Sequence, residues 1–215
     1  MSLARRALAD GLGTALLLAA VVGSGIMGER LSDGNDALAL LANSLATGFG
    51  LVALIVAFGG RSGAHFNPVV TLALWIRKDF PVREILPYVA AQFAGALLGV
   101  LAAHAMFELP LLQLSDRLRA GPAQWWSEVV ATFGLVLVVL SCNARQAPVA
   151  IGAYIAAAYW FTASTSFANP AVTLARAFTD TFAGIDLNHV LPFLAAQILG
   201  SGLAVLADRT WPLRR

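Results

Sequence analysis

Two asparagines, each followed by a proline, carry the strongest chemical implication in this sequence. Asn67-Pro68-Val69-Val70-Thr71-Leu72-Ala73 recurs as Asn169-Pro170-Ala171-Val172-Thr173-Leu174-Ala175. An asparagine side chain caps a helix by accepting from its first free N–H groups. A proline fits the first turn, where its missing N–H would have had no partner anyway. Both stretches therefore read as helix starts. The helices that follow, about 67–76 and 169–178, are too short to cross a bilayer, which takes about 20 residues, so they read as half-helices. A helix start inside a membrane exposes N–H groups that lipid cannot satisfy, and it must be buried in protein or line a watery path. Each start also brings about +0.5 charge. The asparagine amides can donate to a passing oxygen, which favours a neutral hydroxylic molecule. A cation about 4 Å away, at an effective dielectric near 20, loses about 4 kcal/mol for each unit of like charge.

Asp10 and Glu128 are the other chemically pointed residues, because each lies within an apolar run. Ionisable groups in such places are costly and normally functional, and a proton-coupled carrier would use them. His65 stands two residues before Asn67, and no second histidine or cysteine is near at ligand spacing. A hydrogen bond that braces the loop is therefore expected of it, and no metal site. Cys142 is the only cysteine; it excludes an internal disulfide and reads as a small apolar filler. No catalytic triad, metal cluster or phosphate loop is recognisable, so neither an enzyme nor a cofactor is expected. His104 reads as an interfacial residue near the end of an apolar segment.

The elements that must hold these residues belong to a membrane protein. Of 215 residues, 59% are hydrophobic and 12% charged, about half the charged share of a soluble domain. The net charge of +2, with basic residues spread singly, excludes nucleic acid as a partner. Six apolar segments are long enough, or nearly so, to span a bilayer: 7–27, 37–58, 85–106, 125–141, 147–164 and 190–207. The first is too long for a signal-peptide core and shows no small-residue cleavage site, so it is expected to be retained.

The chain divides as one domain, 1–215, made of a first repeat 1–106, a connecting loop 107–124 and a second repeat 125–215. Ile85-Leu86-Pro87-Tyr88-Val89-Ala90-Ala91-Gln92 matches Val190-Leu191-Pro192-Phe193-Leu194-Ala195-Ala196-Gln197. The first and fourth segments pair around Asp10 and Glu128. Gly50 with Gly152, and Gly95 with Gly200, read as points where helix backbones approach closely. Three spans per half invert the second half relative to the first. An inverted repeat with broken helices places a solute path near the midplane. If the N-terminus is cytoplasmic, that side holds Arg5, Arg6, Arg61, Arg77, Lys78, Arg83, Arg145, Arg209, Arg214 and Arg215. The far side then holds only Arg30, Arg117, Arg119 and Arg176. Ten against four favours both termini inside.

The paired tripeptides, the shared Val-Thr-Leu-Ala and the repeated flanks resemble the aquaporin superfamily over nearly the whole chain. The resemblance implies an all-α integral membrane fold of six transmembrane helices and two re-entrant half-helices meeting in mid-membrane. Asn67, Pro68, Val69, Asn169, Pro170 and Ala171 would form the central constriction. Carbonyls of Gly63, Ala64, His65 and Phe66, and of Thr165, Ser166, Phe167 and Ala168, would form ladders of acceptors. Asp10 and Glu128 would brace the two loops, Asp10 being one methylene shorter than the family's usual glutamate. A homotetramer in a bacterial inner membrane is the implied setting, with the lipid bilayer, water and small neutral solutes as partners.

Counted without gaps from the two asparagines, the outer selectivity filter falls on Thr47, Ala157, Ser166 and Val172. These replace the aromatic, histidine, small residue and arginine of water-selective relatives. Such a filter would be wide and uncharged, with Arg176 one turn beyond Val172. Glycerol facilitators usually carry aspartate at the place of Thr173, Val69 replaces a usual alanine, and Thr165 stands where glycine is common. Valine at the arginine place most resembles bacterial members associated with arsenic resistance. The expected function is a passive channel for trivalent metalloid hydroxides, arsenite and methylarsenicals, with glycerol and water. Three alternatives remain: a water- or glycerol-selective channel, a proton-coupled carrier using Asp10 or Glu128, and a structural membrane protein with an incidental pore.

Overall fold

The computed structural model describes residues 1–210. Arg214 and Arg215, counted above among the cytoplasmic charges, lie outside the described residues. The described chain is helical, without strands: α1 Leu3–Leu31, α2 Asp36–Ser62, α3 Pro68–Ile76, α4 Val82–Met106, α5 Pro122–Ser141, α6 Ala147–Phe161, α7 Pro170–Ala175 and α8 Val190–Thr210. Five of these are long and apolar enough to cross a membrane, and α6 is an apolar helix of 15 residues. The fifth apolar segment ends at Phe161, three residues before the expected limit, because Thr162 turns into an extended backbone. Asn67 and Asn169 are the caps of α3 and α7. The second half-helix is α-helical only to Ala175 and tightens into a 3₁₀ turn over Arg176–Phe178.

α1 packs on α4 and on α2, α5 on α8, and α2 on α6, so α1–α4 and α5–α8 make like arrangements. Small residues set these approaches. A methyl group at Gly95 would overlap the Gly11 carbonyl of α1, and one at Gly200 would overlap the Val129 carbonyl of α5. Between α2 and α6 the close pair is Gly48 with Gly152. Gly50, the position expected to mark a close approach on α2, does not: a methyl there would meet only Ala20 at an ordinary 3.7 Å. Two residues along a helix turn a side chain by about 200°, so Gly48 and Gly50 face different neighbours.

His104 is not interfacial. It is buried, with Nδ1 2.9 Å from the Leu111 carbonyl oxygen and Nε2 2.7 Å from Thr179 Oγ1. It ties the connecting loop to the segment after α7.

Candidate functional site

The two half-helices meet through their caps. Asn67 Oδ1 accepts from Val69 N at 3.1 Å, and Asn169 Oδ1 accepts from Ala171 N at 3.0 Å and Val172 N at 3.3 Å. Each Nδ2 donates across to the opposite loop, Asn67 to the Ala168 carbonyl and Asn169 to the Phe66 carbonyl, both at 2.8 Å. Since an amide nitrogen carries two N–H groups, one on each asparagine is left over. Both asparagines line a cavity of about 520 Å³. Pro68, Val69, Pro170 and Ala171 are buried and lie outside the lining, so within the central motif only the asparagines face the space.

The buried acids hold the loops in matching fashion. Asp10 accepts from Ser62 Oγ at 2.9 Å, His65 N at 2.9 Å, Phe66 N at 3.0 Å and Gln92 Nε2 at 2.8 Å. Glu128 accepts from Ser164 Oγ at 2.6 Å, Phe167 N at 2.9 Å, Ala168 N at 2.8 Å and Gln197 Nε2 at 2.6 Å. Every carboxylate oxygen thus takes two donors. A hydrogen bond to a charged group contributes about 1.5–3 kcal/mol, which offsets the cost of burying the charge. The shorter Asp10 completes the same set of partners as Glu128. Gln92 and Gln197 also donate to Thr71 Oγ1 and Thr173 Oγ1 at 3.0 and 2.8 Å, linking each acid to the half-helix itself. His65 Nδ1 lies 3.1 Å from Thr71 Oγ1, the loop-bracing bond expected of it.

Sequence reasoning found the acids and missed the serines, glutamines and threonines that complete the braces. Their signal was available: Gln92 and Gln197 end the repeated octapeptide, and Ser62 and Ser164 each stand five positions before their asparagine.

Between brace and cap the backbone is strained. Gly63, Ala64 and Phe66 before α3, and Thr165, Ser166 and Ala168 before α7, all have positive φ. For residues other than glycine this costs about 1–2 kcal/mol each, tolerated where the surroundings over-determine the conformation. Here the surroundings are the carboxylate-bound N–H groups. Gly63, Ala64, His65, Phe66, Ser166 and Phe167 line the cavity, whereas Thr165 and Ala168 do not. The Phe66 and Ala168 carbonyls already accept from the opposite asparagines.

At the outer end, Thr47, Ser166 and Val172 line the cavity and are buried. Ala157, the remaining expected filter residue, is exposed on the outside of α6 and away from the cavity. Tyr159 takes its place, with its hydroxyl 3.2 Å from Thr47 Oγ1. Ile155, one turn below Tyr159, shares that face, and Ala157 between them is rotated to the opposite side. The mouth is therefore not ringless. Arg176 also reaches it, being buried and part of the lining, with its guanidinium carbon 3.4 Å from the Phe167 ring centroid.

Arg119, from the connecting loop, stands beside it, 5.0 Å from the same centroid. Burial, chiefly, and the like charges of Arg176 and Arg117 lower the Arg119 pKa to about 9, so it stays cationic at neutral pH. Elsewhere the walls are largely apolar, through residues such as Leu17, Val21, Leu51, Ile55 and Leu135, and the lining extends to Cys142 and Asn143.

Residues 1–159 match the model of a family described as major intrinsic protein. Aquaglyceroporin AqpS of Rhizobium meliloti (strain 1021) is 52% identical over 215 residues, covering 99% of this chain and 91% of that protein. Aquaporin AqpM of Methanothermobacter marburgensis is 30% identical over 237 residues, covering 96% of each. Among solved structures, the aquaglyceroporin from Plasmodium falciparum superposes with a TM-score of 0.79, at 20% identity and with 98% and 97% of the two chains covered.

Proposed function

Because this chain belongs to the major intrinsic protein family, a family of membrane channels and not enzymes, we infer that its particular cargo is the uncharged trivalent metalloid hydroxides, arsenite and methylarsenicals, alongside glycerol and water. That it is a multi-pass channel for small neutral solutes rests on the aquaglyceroporin relatives; the metalloid preference is our reading. The observation that carries it is the outer mouth, where the uncharged Val172 and the hydroxyls of Thr47 and Tyr159 stand on the wall. A valine leaves room for a three-hydroxyl solute. The hydroxyls and the spare asparagine N–H groups replace part of its hydration. Carbonyls of Gly63, Ala64, His65, Ser166 and Phe167 would supply acceptors.

The braces weigh against the carrier reading. With four donors on each of Asp10 and Glu128, a proton would have to displace a loop-holding bond. We further propose a bacterial inner-membrane location with both termini cytoplasmic, and a homotetramer. Proteoliposomes assayed without any ion gradient should take up arsenite, methylarsenite and glycerol faster than empty vesicles. Glycerol uptake with no arsenite uptake would overturn the cargo, and no uptake of either would overturn the channel.

A further inference from the structure

The outer mouth holds positive charge that the tripeptide register does not foretell. Arg176 is only 2% exposed, yet just one of its nitrogens is engaged: Nε donates to the Ala183 carbonyl. Its Nη1 and Nη2 have no hydrogen-bond partner among the described residues, and the side chain lines the cavity. No ion pair among the described residues neutralises Arg176 or Arg119. Both guanidinium groups lie against one ring, that of Phe167, whose own N–H is held by Glu128.

Arg119 also fixes the surroundings. Its Nε donates to the Gly184 carbonyl at 2.7 Å, and Nη2 to the Phe182 carbonyl at 3.3 Å. These flank Ala183, the residue that holds Arg176. Its Nη1 donates to the Ser164 carbonyl at 3.3 Å and Thr165 Oγ1 at 3.4 Å, at the start of the second pore loop. One arginine thus clamps both the loop that leads to the filter and the turn that aims the other arginine.

We propose that Arg176, positioned by Arg119 and Phe167, is the specificity determinant that rejects cations at the outer mouth. It restores from one turn beyond Val172 the charge that position lacks, without narrowing the filter at Val172. Buried, unpaired guanidinium charge repels a cation strongly, because little water screens it. Its free N–H groups can still donate to the oxygen of an uncharged solute. Width and cation exclusion, which one filter arginine would couple, are here assigned to different residues. This inference rests on the channel reading above.

The test is paired measurement in proteoliposomes, with collapse of imposed potassium and proton gradients followed beside glycerol uptake. Arg176→Gln should raise the ratio of cation leak to glycerol uptake at least about tenfold, whereas Arg176→Lys should stay close to wild type. Adding Val172→Arg to Arg176→Gln should restore exclusion. Wild-type leak in a glycerol-conducting Arg176→Gln channel would overturn the inference and leave the channel reading intact. If that variant does not reconstitute, Arg119→Gln decides: a leak raised about threefold or more supports the inference, and an unchanged leak overturns it. Absence of both glycerol and arsenite uptake by the wild type would overturn the channel reading and this inference with it.

Discussion

A valine at position 172 presents no donor, no charge and little bulk to the solute path, and it lies at the wall of the outer mouth. Val172→Arg would place a guanidinium there, one turn below Arg176, adding both obstruction and like charge. Arsenite and glycerol fluxes should then fall at least about tenfold, while stopped-flow water permeability falls less than about threefold; equal losses would show a collapsed pore and no sieving.

The neighbouring wall offers a sharper contrast. Ala157 faces away from the cavity and Tyr159 faces it. Ala157→Leu should therefore leave glycerol uptake within about twofold of wild type, whereas Tyr159→Ala should raise the uptake of larger polyols. A reversed outcome would put Ala157 back in the filter. Position 157 follows from counting back from Asn169 without gaps, and such counting assumes a helix end and loop of fixed length. In this chain α6 stops at Phe161, and a shift of two places is enough to present the opposite helix face. Val172 and Ser166 were legible because no variable loop separates them from Asn169.

The half-helices owe their conformation less to their own sequence than to α1 and α5 behind them. Six and nine residues are too few to be stable alone. What fixes them is the set of four donors gathered by each buried acid. Glu128→Gln preserves shape but turns two N–H groups toward donors. It should lose about two charge-assisted bonds, on the order of 3–6 kcal/mol, read as a lower melting temperature in detergent and a reduced solute flux. Glu128→Asp should lose less, since Asp10 completes the same four contacts in the other half. If Glu128→Gln melts like wild type, the brace is not what orders α7.

These elements were readable in advance where a periodic apolar run or an Asn-Pro start announced them. The braces were legible only through the internal repeat, since nothing local in Ser62, Gln92 or Thr71 announces that each will meet Asp10 or a donor to it. Their partners lie on other helices, and only packing of α1 on α4 brings them together.

Across the whole molecule the basic residues are treated differently at the two ends, which bears on orientation. At the end carrying Arg30, Arg117, Arg119 and Arg176, each is used internally. Arg30 donates to the Phe107 carbonyl, Arg117 pairs with Glu29, and the other two pack on Phe167. At the opposite end Arg5, Lys78, Arg83 and Arg145 are exposed and form no ion pair among the described residues, whereas Arg6 and Arg77 pair with Glu84 and with Asp79 and Asp208, and Arg61 and Arg209 donate to the Ala57 and Ile76 carbonyls. Freely solvated cations contribute about 1 kcal/mol each near an anionic cytoplasmic leaflet, whereas internally engaged ones contribute little. This contrast supports the proposed cytoplasmic placement of both termini.

The single cysteine makes this testable. In a Cys142→Ser background, Arg145→Cys should react with a membrane-impermeant maleimide only after cells are permeabilised. Leu118→Cys, exposed on the connecting loop, should react in intact cells. The opposite pattern would invert the molecule, and would put the Arg119 and Arg176 barrier on the cytoplasmic face.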